Sequence, residues 1–267
     1  MASIQSKKQD VALGLVVKSL HSANFSEALS YFVKKLVSFD NLIVIAYHKS
    51  LNPQVLYREY QDPVVYQTMD TDYVNAAYLL DPFYQAVTGG VQTGIHRIFE
   101  LAPDQFKQTS YFREYYSQTT LVDEFAVFVR VNHDTTITVC FGRDKTSGMA
   151  FKKSELNAVR AFEHLLCALC EQQWKDFQPQ QGNGISLPPV TERLRNELKK
   201  QHDIGLSARQ SEVALFILQG HSSLSISLNL NISKETVKVF RRQLYAKCNI
   251  SSQAELFALL MPIFSSL

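Results

Sequence analysis

No stretch of this 267-residue chain approaches the ~18 consecutive apolar residues of a membrane span. Its opening, Met1-Ala-Ser-Ile-Gln-Ser-Lys-Lys, lacks the apolar core of a secretory signal. Cysteine is scarce: Cys140, Cys167, Cys170 and Cys248 do not make a disulfide framework, and the chain reads as cytosolic. The seven histidines form no His-x-x-x-His pair, and there is no Gly-x-Ser-x-Gly elbow or phosphate-cradling glycine loop. Cys167-Ala-Leu-Cys170 has metal or redox spacing, but it stands alone within an apolar helical stripe, so both read as small buried residues. Asp123 and Glu124 are neighbours in an expected strand and therefore point to opposite faces, which rules out a paired-carboxylate site. Nothing argues for catalysis, and no cofactor or metal is expected.

What is present fits two globular cores. The hydrophobic fraction is 46% and the charged fraction 19%, values of folded chains. The net charge of +2 is unevenly spread. From Thr191 onward ten basic residues face six acidic ones, a surplus of +4, which leaves residues 1 to 190 at −2. A basic tail behind an acidic front suits a DNA contact confined to the tail.

The front reads as mixed helix and strand. Residues 10 to 39 carry apolar stripes (Val11, Leu15 and Leu20; then Phe25, Leu29, Phe32, Val33 and Leu36) of one or two helices. Asn41 to Tyr47 and Gln54 to Tyr60 predict a strand hairpin across Asn52-Pro53. Residues 64 to 87 read as largely helical with an interruption at Asp81-Pro82. His96 to Leu101 is expected to be extended, and Pro103 to Ser117 an aromatic-rich helix. Asp123 to Asn132 and Thr135 to Gly142 predict two strands, and Lys152 to Trp174 one long helix. Helices flanking an antiparallel sheet of four or five strands make an α+β domain, an α/β/α sandwich similar to GAF, PAS or autoinducer-binding sensors. Asp176 to Pro189 reads as a linker, and Thr191 to Gln201 as a short helix. The expected division is a sensor-like domain over 1–176, a linker over 177–204 and a helical domain over 205–267.

The tail is the most informative stretch. Ser207 with Gln210 three residues on is a capping-box pattern, and Gly220 ends that helix. Ser233 is a good N-cap for a helix with Val237, Phe240 and Leu244 on one face. Lys238, Val239 and Arg242 lie roughly opposite, flanked by Lys234 and Arg241. A final helix starts at Ser251 or Ser252 with Leu256, Leu259, Leu260 and Ile263, a core or dimer face. Leu206-Ser-Ala-Arg-Gln-Ser-Glu-Val213, Gly220, Ile226, Leu230, Ile232-Ser233, Thr236-Val-Lys-Val239 and Lys247 resemble the LuxR-type helix-turn-helix domain in a single register. The resemblance implies an all-α, four-helix domain whose recognition helix follows Ser233. By position, Lys238, Val239 and Arg242 would meet base edges, and Lys234, Thr236 and Arg241 phosphates.

This sequence departs from that pattern. Leu224, Ile226, Leu228 and Leu230 alternate as a strand would, yet the register makes them a helix that buries Ile226 and Leu230 and exposes Leu224 and Leu228. Gln210 stands where the family has glutamate, Phe240 where it has histidine, and Gln253 where it has arginine.

In the front domain, Tyr78-Leu-Leu-Asp81-Pro82-Phe83-Tyr84 resembles the Asp-Pro segment of acyl-homoserine-lactone receptors, which implies an aspartate that accepts a bond from a ligand amide. Those receptors line their pocket with tryptophans, whereas Trp174 is the only one here. By residue type, Tyr78, Asp81, Phe83, Tyr84, Tyr111, Tyr115 and Glu124 form a candidate small-molecule pocket suited to a lactone or a small cation. The plainer reading keeps the tyrosines as core or rim and Asp81 as a helix cap. A phosphorylated receiver is excluded by the lack of an early acidic pair and by the two helices before the first strand. The expected whole is a homodimeric regulator that binds double-stranded DNA and a small-molecule effector. The alternative is a regulator acting through a protein partner at Leu224 and Leu228.

Overall fold

The computed structural model describes residues 2–49, 51–179 and 188–265. The chain forms two compact units that do not follow chain order. One holds residues 1–65, 90–100 and 120–183; the other holds 66–89, 101–119 and 184–267.

The first unit is built on a five-stranded antiparallel sheet, in the order β2-β1-β5-β4-β3. Its strands are β1 (Asn41–His48), β2 (Gln54–Tyr60), β3 (Gly94–Arg97), β4 (Leu121–Arg130) and β5 (Thr135–Asp144). β1 and β5 are buried along nearly their whole length, and in β1 this shows as a continuous apolar run rather than an alternating one. Leu42, Val44, Phe125, Val127, Val139 and Phe141 share one face and pack with helices α1 (Ala2–Lys18), α2 (Phe25–Val33), α5 (Lys153–Arg160) and α6 (Glu163–Trp174) in a single core cluster. Two short helices are shared with or lie in the second unit, α3 (Pro82–Thr88) and α4 (Ile98–Leu101).

The expected antiparallel sheet flanked by helices is therefore present, but several segments differ in detail. Extended backbone ends at Arg97 rather than Leu101, because the Glu100 carboxylate turns back to accept from the Arg97 amide and from Arg160. The helix expected over Lys152 to Trp174 breaks at Ala161-Phe162. There the Phe162 ring packs edge-on against Phe32 at 5.7 Å, and Glu163 accepts from the Ile95 amide at 3.1 Å. The aromatic helix expected over Pro103 to Ser117 is instead a run of separate turns, at Phe106–Gln108, Tyr111–Tyr115 and Tyr116–Thr119. The Thr109 hydroxyl donates to the Phe106 carbonyl and accepts from the Phe112 amide, offering the backbone a local alternative to continuous helix.

Two buried charges hold this unit together. Asp123 is fully buried, receives Arg97 through Nε at 3.0 Å and Nη2 at 2.6 Å, and also accepts the Phe151 amide. Arg143 donates to Ser38, the Ala150 carbonyl and both oxygens of Glu155, with its guanidinium over the Phe151 ring. Asp123 is thus a structural partner, and Cys167 and Cys170 belong to the apolar core, where burial pushes the Cys167 thiol up to about 11. Among the described residues no helix is long and apolar enough to cross a membrane.

In the second unit, residues 188–265 form α7 (Val190–His202), α8 (Ala208–Gln219), α9 (Ser223–Leu230), α10 (Lys234–Cys248) and α11 (Gln253–Ser265). The helix expected at Thr191 to Gln201 is α7, with Leu194 and Leu198 buried against α8. Of the linker expected before it, residues 180–187 lie outside the described residues. Residues 66–89 and 101–119 join these helices in the same unit. Residues 66–89, expected to be largely helical with an interruption at Asp81-Pro82, are short separate turns at Met69–Tyr73 and Ala77–Leu80 followed by α3, and 101–119 hold the aromatic turns named above.

Candidate nucleic-acid interface

Each tail helix starts and stops on chemistry visible in the residues. At α8, Ser207 Oγ accepts the Gln210 amide at 3.2 Å and Gln210 Oε1 accepts the Ser207 amide at 3.0 Å, completing the capping box. Gly220 ends it at φ 96°, where the His221 amide closes on the Phe216 carbonyl. α9 is a helix despite its alternating sequence. Positions two apart lie about 200° apart on a helix, so Ile226 is buried while Leu224 and Leu228 are 56% and 75% exposed.

Ser233 caps α10 by accepting the Thr236 amide at 3.0 Å. Val237, Leu244 and Cys248 are buried and Phe240 half-buried, so one face of α10 is committed to the domain core. Lys234, Lys238, Val239 and Arg242 are exposed on the other. Lys238 comes only within 3.8 Å of Glu235, an exposed contact of little energy that leaves the ammonium available. Thr236 and Arg241 are placed differently. Both are half-buried; the Thr236 hydroxyl meets Ser233 Oγ at 2.8 Å, and Arg241 lies over the Tyr245 ring with Nη2 3.3 Å from its hydroxyl. The geometry therefore brings four of the six expected residues onto one open face and leaves two at its edge.

The departures at Gln210 and Gln253 fall inside the domain. Gln210 is buried, and Lys247 Nζ reaches its Oε1 at 2.9 Å and the Gly205 carbonyl at 2.7 Å, tying the end of α10 to the start of α8. Gln253 donates to the Ile217 carbonyl at 2.8 Å. These side chains set helix packing.

The aromatic residues expected around a ligand lie in the same unit, except Glu124, which is buried on β4 of the first. Tyr111 stacks on Tyr115 at 5.4 Å, Tyr115 on Tyr73 at 6.4 Å, and Tyr78 meets Tyr84 edge-on at 4.8 Å. Phe83 is buried beside them in sequence. Asp81 caps α3, accepting the Phe83 amide at 2.7 Å, and also accepts the Tyr73 hydroxyl at 2.7 Å. Tyr73 had no signal in the sequence, being eight residues from its partner. Burial raises the Asp81 carboxyl to about 6, against the hydrogen bonds from Tyr73 and from the Phe83 and Tyr84 amides that favour its charged form.

A folded-state value above the ordinary one means that the native state holds this proton more tightly between roughly pH 4 and 6. Its stabilising contribution is complete below that window and is lost as pH rises through about 6. Asp81→Asn keeps a capping oxygen and removes the titration. The stability of the variant relative to the native protein, from urea unfolding at a series of pH values, should rise from pH 4 to pH 6 and then level. A difference that does not change with pH removes this account of Asp81.

This segment docks directly on the α8–α9 turn. The Gln105 amide donates to the Gly220 carbonyl at 2.9 Å, the Ser222 amide to Asp104 Oδ1 at 2.9 Å, and Gln219 Nε2 to the Leu79 carbonyl at 3.1 Å. His221, held below its ordinary value by burial and drawn upward by Asp104, lies in the same turn. The α8–α9 turn is therefore bonded to the two segments that carry the tyrosines.

The tail and the front of the chain each resemble known proteins. The family described as bacterial regulatory proteins, luxR family, matches residues 205–260. A protein of Aeromonas salmonicida, provisionally designated an HTH-type transcriptional regulator in the exeN 3′ region, is 29% identical over 185 residues, covering 68% of this chain and 93% of its own. The LBD domain of VqsR from Pseudomonas aeruginosa superimposes with a TM-score of 0.54 at 19% identity, covering 63% of this chain and 98% of its own, a likeness of fold. Capped as they are, open on the cationic side of α10 and matched in one register, residues 205–260 are a helix-turn-helix domain of the luxR family of bacterial regulatory proteins.

Proposed function

We propose that this protein is a cytoplasmic, homodimeric transcription regulator that reads duplex DNA with α10 and answers to a small-molecule effector. The observation that carries the reading is the luxR-family match over residues 205–260 together with the open face of Lys234, Lys238, Val239 and Arg242. Lys238, Val239 and Arg242 address base edges in the major groove, while Lys234, with Thr236 and Arg241 at the margin, faces phosphates. Two copies address half-sites about one helical turn apart.

The effector site is assigned to the aromatic segment of Tyr78, Asp81, Phe83, Tyr84, Tyr111 and Tyr115, all in the second unit, and Glu124, which lies in the first, is left out of it. The Asp81 carboxylate already serves Tyr73 and the start of α3, so an effector acts here by repacking the tyrosines. It shifts the reader only if it binds one arrangement of this segment better than another. The bonds to Gln219, Gly220 and Ser222 supply the path.

Selection of bound fragments from genomic DNA by the full-length protein tests the reading. Enrichment of pseudo-palindromic sites with that half-site spacing is expected, together with affinity that falls steeply with salt. Failure to retain any fragment at low salt, with and without small-molecule extract, overturns it. Exposed Leu224 and Leu228 favour a second reading, action through a protein partner. That reading gains if regulation in cells survives loss of Lys238 and Arg242 but not Leu228→Arg.

A further inference from the structure

Helix α1 presents an outer face that no other part of the described chain covers. Ala12 and Val16 are fully buried in the core, whereas Val11, Leu15 and Val17 are 57%, 44% and 51% exposed. Three large apolar side chains open to water on one helix is an unusual concentration, since exposed apolar residues ordinarily occur singly. Between them lies Gly14, and an added Cβ there would meet nothing within 4 Å. A mid-helix glycine weakens a helix, and among the described residues no neighbour crowds this one.

We propose that this face of α1 pairs with the same face of a second copy of the chain, antiparallel, about a two-fold axis at Gly14. The residue pattern is self-complementary under that operation. In an antiparallel pair centred on Gly14, Val11 of one copy faces Val17 of the other, and Asp10 faces Lys18. Opposite charges thus meet at both ends and apolar residues fill the middle, as an isologous interface requires. Asp10 and Lys18 are engaged in no ion pair among the described residues, which leaves them for the partner copy. With no side chain at the crossing point, the backbones approach closely. A pair of helices about 25 Å long buries an area at the low end for specific interfaces, so association on the order of micromolar is expected.

This inference rests on the two-copy reading above only for its biological use, and its test needs no DNA. Sedimentation velocity of the full-length protein over a range of concentrations should show a reversible monomer–dimer equilibrium. Gly14→Gln adds a better helix former in open space, so circular dichroism should show an intact fold, while the dissociation constant rises about tenfold or more. Asp10→Lys and Lys18→Asp should each weaken the dimer, and the double variant should restore it. An unchanged dimer in Gly14→Gln overturns α1 pairing but leaves a two-copy DNA reader standing through another surface. A double variant no tighter than either single one overturns the antiparallel register. A native chain that stays monomeric throughout overturns the pairing outright, whereas the DNA reading fails separately, on fragment selection.

Discussion

Arg242→Ala should lower affinity for a specific operator by about 1–3 kcal/mol, roughly a five- to 150-fold rise in Kd, and relax the preference at the base pair it reads. Lys238→Ala should do the same at a neighbouring pair. The magnitude follows from where these side chains stand. Both are exposed on the outer side of α10, and among the described residues the ion-pair contact there is with Glu235, itself exposed and 3.8 Å from Lys238. Truncation therefore removes the proposed DNA contact without unpairing anything inside the domain. Lys234→Ala should weaken all sequences alike and lower the salt slope by about one, the signature of a lost phosphate contact. Arg241→Ala is a less clean probe, because its guanidinium covers the Tyr245 ring and its loss also removes packing. Fluorescence anisotropy on operator and scrambled duplexes separates these outcomes. Operator binding untouched in Lys238→Ala would refute the groove assignment.

Gly220→Ala should be the most damaging single methyl in the second unit. The residue sits at φ 96°, a conformation that strains any L side chain by roughly 1–2 kcal/mol. Its Cβ would also fall 2.8 Å from Phe106 Cα and 2.9 Å from the Phe106 amide nitrogen. Those are backbone atoms that cannot swing away, so residues 103–109 must retreat. The Gln105–Gly220 and Asp104–Ser222 hydrogen bonds then lengthen or break, each worth about 1 kcal/mol net. A total loss of about 3 kcal/mol is expected, read as a lower urea midpoint and faster hydrogen exchange at Gln105 and Ser222. Exchange that accelerates only at Gly220 and His221 would mean that the docking of 103–109 is not what the glycine protects.

Much of this architecture was legible in the residues. The hairpin of β1 and β2 and the pair of β4 and β5 follow from β-branched and aromatic runs bounded by turn residues. The tail helices follow from caps at Ser207, Ser233 and Gly220, local chemistry that needs no distant partner. The helix of α9 was legible only through its neighbours, since its own alternation points to a strand. Where periodicity failed as a guide, side-chain contacts had decided, some distant and some local. The break at Phe162 answers to Phe32, more than a hundred residues away, and the turns of 106–119 answer to the Thr109 hydroxyl and crowded rings.

For the cationic face of α10, helical spacing alone separated Val237 and Leu244 from Lys238 and Arg242, and the structure keeps that separation. It could not show that Thr236 and Arg241 are half-engaged within the helix itself. Nor could it show that Asp81 is already occupied by Tyr73, because a hydrogen bond between side chains depends on a backbone path that irregular turns set.

The amino-acid order by itself determined the four long strands, where the tail helices begin and end, and which side of α10 is cationic. Those properties arise from periodicity and from capping within three or four residues. Only the tertiary structure decided that residues 66–89 and 101–119 join the helix-turn-helix in one compact unit and bond to its α8–α9 turn. Those bonds link groups more than a hundred residues apart, so their formation depends on how the whole chain closes, and no local pattern carries that information.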